Sequence, residues 1–153
     1  MRTRIADTDE WQSLLEARPS YSYHQRPEWS LACQQSTRHA TVMPRMFLFD
    51  DGTEILMPLV ETRIRSLFKT VESVPAGYGG PLCAGKPTPR HISSVMAHLK
   101  KSAAMVIVHP HPTEWRLFSE ADLRGFTLKR IHTYIVPCTP EALEQNINYR
   151  VKE

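Results

Sequence analysis

The sequence lacks any hydrophobic stretch that could cross a bilayer: its longest apolar runs, such as residues 103–108, fall far below the ~20 residues a spanning helix needs. No secretory leader is expected, because Met1-Arg2-Thr3-Arg4 runs into acidic Asp7, Asp9 and Glu10 instead of an apolar segment and a small-residue cleavage site. A cytoplasmic location is therefore expected. Cysteine is scarce, and Cys33, Cys83 and Cys138 are far apart with no C-x-x-C pair, which argues against a disulfide framework or a cysteine zinc site and for reduced thiols. There is no P-loop, no G-x-S-x-G nucleophile elbow, no internal repeat and no low-complexity tract. Excess charge is small as well: a net +3 and a pI near 8.9 come from scattered Lys and Arg, with only short pairs such as Lys100-Lys101 and Lys129-Arg130. No basic stripe alternates with aromatics, so the composition does not point to nucleic acid.

What is present suits one ordinary domain, with 153 residues and 41% apolar composition. Twelve prolines, about 8% against a usual ~5%, predict short elements separated by defined turns. Asp7 with Glu10 at the capping-box position opens a first helix bearing Trp11, Leu14 and Leu15, stopped at Arg18-Pro19. Pro27 opens a second, with Trp29, Ala32 and Cys33 on its apolar face. Residues 42–49 and 55–64 read as an antiparallel pair around the turn Asp50-Asp51-Gly52-Thr53, and residues 67–74 extend the meander.

The run Pro75-Ala76-Gly77-Tyr78-Gly79-Gly80-Pro81 excludes regular structure. Thr88 and Pro89 then start a helix whose Ile92, Val95, Met96 and Leu99 form one stripe, closed by Lys100-Lys101. A strand over 104–109, a helix over 114–123 and a strand over 126–136 follow. Thr139-Pro140 begins a last helix, with Leu143, Ile147 and Val151 on one side. The fold class expected is α/β (α+β), a mixed sheet flanked by helices.

Four segments taken in order carry a family resemblance. They are Trp11-x-x-Leu14-Leu15; Tyr23-His24-Gln25-Arg26-Pro27-Glu28-Trp29; the Asp51-Gly52 hairpin with Pro58-Leu59; and Ser73-Val74-Pro75-Ala76-Gly77-Tyr78-Gly79-Gly80-Pro81. Their order and spacing resemble the N-terminal domain of FemAB-like proteins, tandem GNAT-type acyltransferases that include peptidoglycan-bridge aminoacyltransferases and acetyltransferase relatives. The resemblance implies a GNAT-like, largely antiparallel sheet over residues 1–138. It implies that residues 139–153 begin a linker helix to a second GNAT-like domain, which is the expected partner.

It further implies the acceptor side of an acyl or aminoacyl transfer in cell-envelope or polysaccharide metabolism, with Tyr78, Gly79, Gly80, His24 and Glu28 as substrate-binding residues and no catalytic residue assigned. The donor, acyl-CoA or aminoacyl-tRNA, would belong to the complete protein. No Arg/Gln-x-x-Gly-x-Gly/Ala segment opens a helix here to hold a CoA pyrophosphate, so no cofactor is expected on this chain and nucleic acid only as a transfer-RNA donor. A lysine that often follows the tryptophan in relatives acting on nucleotide-linked muropeptides is replaced by Leu31, Ala32, Cys33, Gln34 and Gln35, a departure from that substrate.

Blander readings stand beside these. The glycines at 77–80 let a substrate approach the backbone, or they make a tight structural crossover. Trp29 reads as a core anchor and His109-Pro110-His111 as a strand-end turn, with no third metal ligand at a recognisable spacing. The alternative function is a non-catalytic interaction module that uses a degenerate GNAT-like fold to bind another protein, a homodimer being one form of it.

Overall fold

Helix starts follow the capping chemistry. In the computed structural model, which describes residues 1–17, 21–64, 68–75 and 77–129, Asp7 accepts from the Glu10 N–H at 2.8 Å while Glu10 accepts from the Asp7 N–H at 3.1 Å. This reciprocal pair opens α1 (Thr8–Glu16), which buries Trp11 and Leu15. Pro27 is the first residue of α2 (Pro27–Ser36). Thr88 caps α3 (Pro89–Ser102), and Ile92, Val95, Met96 and Leu99 are all buried. Burial of each such side chain contributes about 1.5–3 kcal/mol.

The central hairpin keeps one register but changes sheet half-way. β2 (Ala40–Val42) pairs antiparallel with β5 (Leu59–Ile64), and β3 (Arg45–Leu48) pairs antiparallel with β4 (Glu54–Met57). Val42 opposite Val60 and Arg45 opposite Met57 belong to the same register, which sets Pro44 opposite Pro58. Neither proline has an N–H to give to the ladder, so the two long strands expected over 42–49 and 55–64 each break there. One half joins β1 (Arg2–Ile5) in a three-stranded sheet of order β1-β3-β4, and the other joins a four-stranded sheet of order β2-β5-β6-β7. β6 (Phe68–Ser73) is antiparallel to β5 and parallel to β7 (Met105–Val108), with α3 in the crossover. The class is thus the mixed, largely antiparallel α+β expected, divided between two sheets.

The three-stranded sheet is covered on both faces. Met46 and Leu56 pack with Trp11 and Leu15 of α1, while Phe47, Ile55 and Met57 pack with Ile92, Val95 and Leu99 of α3. A strand buried on both sides reads as a continuous apolar run rather than an alternation, as Ile55-Leu56-Met57 does. The helix expected over 114–123 is shorter: a 3-10 turn, Pro112–Glu114, leads into α4 (Trp115–Ser119). The chain leaves the helix where the Asp122 N–H donates to Ser93 Oγ at 2.8 Å. Residues 126–129 form no strand, and the rest of the strand expected over 126–136, Cys138, the domain boundary at 138 and the helix from Thr139 lie outside the described residues. Among the described residues no helix is long and apolar enough to cross a membrane.

Candidate functional site

Two of the segments that carry the resemblance meet in space. After β6 the chain runs from Val74 to Pro81 and reaches the first sheet at Leu82, whose N–H and carbonyl both pair with Leu56 at 2.8 Å. Three side chains from residues 22–29 donate to carbonyls of this crossover: Ser22 Oγ to Tyr78 at 2.8 Å, Gln25 Nε2 to Gly80 at 3.2 Å and Trp29 Nε1 to Pro75 at 3.0 Å. Gln25 is fully buried, its Oε1 accepts from the Ser22 N–H, and its own carbonyl accepts from Trp11 Nε1 at 2.8 Å. The strap is therefore tied into the α1 core.

From the opposite side the Gly79 N–H donates to the His109 carbonyl at 2.7 Å. Val74 at the start of the loop has φ +53, a left-handed conformation that β-branched residues rarely adopt, and it is fully buried.

The glycines serve the packing of this crossover. Side chains at Gly79 or Gly80 would overlap Val74 and the Glu114 carboxylate, and both glycines are buried. The backbone there approaches the protein's own side chains, which gives the crossover reading of Gly79 and Gly80 a packing basis. Tyr78 is different, at 36% exposed. It lies edge-on to His24 with centroids 6.4 Å apart, His24 lies edge-on to Trp29 at 4.6 Å, and Tyr23, 63% exposed, is edge-on to both His24 and Trp29. Four rings thus form one cluster with two tyrosines facing solvent. Glu28 is exposed on the first turn of α2, next to Trp29 in sequence.

Trp29 corrects one expectation. It is half-buried and belongs to neither core cluster; its indole holds the loop, while Ala32, expected on the apolar face, is exposed and Ser30 is buried instead. Cys33 Sγ lies 3.8 Å from the Pro75 carbonyl, and burial, with the Glu72 carboxylate as a second cause, pushes its thiol up, so a nucleophilic thiolate is disfavoured. His111 accepts from the Thr113 N–H and caps the 3-10 turn, in keeping with the turn reading of that segment. Among the described residues no group of three His, Cys, Asp or Glu is placed to hold a metal.

Sequence reasoning passed over Ser22, Gln25 and Glu72. Glu72 Oε1 stands 3.2 Å from His109 Nε2, a pairing set by the parallel register of β6 and β7. The available signal was a carboxylate and an imidazole each at the carboxyl end of a predicted strand. Compared with known proteins, the chain matches no family model, no curated protein and no solved structure.

Proposed function

We propose that this chain forms the acceptor-side wall of an N-acyltransferase of the FemAB-like, GNAT-type kind, acting in cell-envelope or polysaccharide metabolism with acyl-CoA or aminoacyl-tRNA as donor. The observation that carries the reading is the crossover at Tyr78. Ser22, Gln25 and Trp29 fix its carbonyls, leaving Tyr78 and Tyr23 exposed on a rigid ring cluster around His24. Rigid aromatic groups bind a ligand with little ordering cost. The loop also sits at the carboxyl ends of two adjacent parallel strands, where open α/β sheets commonly bind ligands. Donor chemistry belongs to a second GNAT-like domain in this reading.

The test uses protein expressed from its complete reading frame. Acetyl-CoA and aminoacyl-tRNA are offered as donors, with glucosamine and lysine amines as acceptors, and free CoA or free tRNA is measured. Acceptor-dependent release of either supports the reading.

A second reading, an interaction module that binds another copy, draws on exposed apolar groups of the four-stranded sheet. Ile64 opposite Phe68, and Met105 opposite Thr70, leave three large side chains about half exposed on one face. Absence of transfer, together with a dimer in sedimentation that Phe68→Ser dissociates, would favour this reading over the first.

A further inference from the structure

Glu72, one residue before the end of β6, lies beside His109, whose backbone is held at both its N–H and its carbonyl. The His109 N–H donates to Ser73 Oγ at 3.2 Å, and the His109 carbonyl accepts from Gly79. An ionised carboxylate only accepts, so the proton between them rides on His109 Nε2, and in the neutral ring Nδ1 then carries the lone pair. The His109 side chain is 39% exposed, and among the described residues its ring has no hydrogen bond besides the one to Glu72. A carboxylate thus orients one nitrogen of a partly exposed imidazole whose other nitrogen has no hydrogen bond among the described residues, on the strand end to which the Tyr78 loop is tied. That is the arrangement a general base requires.

We propose that His109 is the general base of this site, a catalytic residue that takes the proton from an acceptor amine, and that Glu72 is its positioning residue. The proposal rests on the acyl-transfer reading above. In the step, the amine nitrogen attacks the acyl carbonyl carbon and a C–N bond forms. The C–S bond of a thioester, or the C–O bond of an aminoacyl ester, breaks. The amine proton passes to His109 Nδ1, Glu72 stabilises the resulting imidazolium, the leaving sulfur or oxygen takes a proton from water, and His109 returns its own to water.

The experiment compares single variants of the protein expressed from its complete reading frame, with acetyl-CoA as donor and glucosamine as acceptor, or whichever donor and amine of the panel above the wild type uses. His109→Gln is expected to lower kcat by about 10²–10⁴-fold, the usual contribution of a positioned base, with KM for the amine nearly unchanged. His109→Ala should regain activity with added imidazole, which a merely structural histidine would not do. Glu72→Gln should lose part of kcat at constant KM, Glu72→Asp should restore some of it, and His39→Asn, at an exposed left-handed position, should match wild type. Transfer that survives His109→Gln within twofold overturns the base assignment alone. Absence of transfer by the wild type from both donors to both amines overturns the acyltransferase reading, and the catalytic role with it.

Discussion

Gly77 lies against the imidazole of His24: a β-carbon placed on it would stand 2.5 Å from the ring's Cγ. The loop that presents Tyr78 therefore has its shape set by the same side chain that edges onto the Tyr78 ring. Loop and ring cluster form one packed unit, and a change in either should be felt in both.

Gly77→Ala is expected to destabilise the fold by about 1–3 kcal/mol, the usual cost of forcing extra volume into a packed contact. Gly85→Ala provides the contrast, since nothing lies within 4 Å of its β-position and its φ is not in the left-handed region. There the loss of unfolded-chain entropy should leave stability unchanged or raise it by about 0.4–1 kcal/mol. Urea unfolding of both variants measures the difference.

Gln25→Leu keeps the volume and removes the amide from a fully buried position. The Ser22 N–H and the Gly80 carbonyl would each lose a partner. At roughly 1–3 kcal/mol for each buried polar group left unsatisfied, the variant should lose several kcal/mol, far more than an exposed Gln35→Leu. Hydrogen exchange at the loop amides should rise with it.

Acid stability should carry the mark of Glu10. The Arg4 guanidinium, donating to both carboxylate oxygens, and the Asp7 N–H hold the Glu10 carboxyl down to about 2, against 4.5 for an unperturbed group. Because the folded value is depressed, the stabilisation is complete above about 4.5 and is lost as pH falls toward about 2. Glu10→Gln should reduce the slope of stability against pH in that window, leaving the part carried by Asp51 and Asp122, whose carboxyls are also held down. Salt should shrink the effect, since the pair is exposed. Urea midpoints from pH 2 to 6 check both.

The parts of this fold legible in the sequence are those with local chemistry. Asp7 with Glu10, Pro27, and Thr88 with Pro89 mark helix starts, and Asp51-Gly52 marks the hairpin, where Gly52 takes φ +85. β1 was not legible because Arg2–Ile5 is exposed throughout and shows no apolar alternation; it exists only by pairing with β3. The sheet switch at Pro44 and Pro58 depends on two prolines facing each other across a ladder, a relation visible only once the register is known.

The candidate site was legible to the same extent. His24 and Tyr78 were singled out from separate segments, whereas Gln25, Glu72 and the loop's attachment to His109 depend on contacts across 30 to 55 positions of chain. Trp29 was misread as core because helical spacing tells which side chains share a face and not what that face meets.

The most direct measurement is acceptor kcat/KM for protein expressed from its complete reading frame, comparing wild type, Tyr78→Phe and Tyr78→Ala. If Tyr78 forms the acceptor wall, Tyr78→Ala should lower kcat/KM by about 10- to 200-fold through lost aromatic contact, with donor KM unchanged and Tyr78→Phe close to wild type. Equal kcat/KM for all three proteins, with the fold intact, would contradict the assignment of this loop to substrate binding.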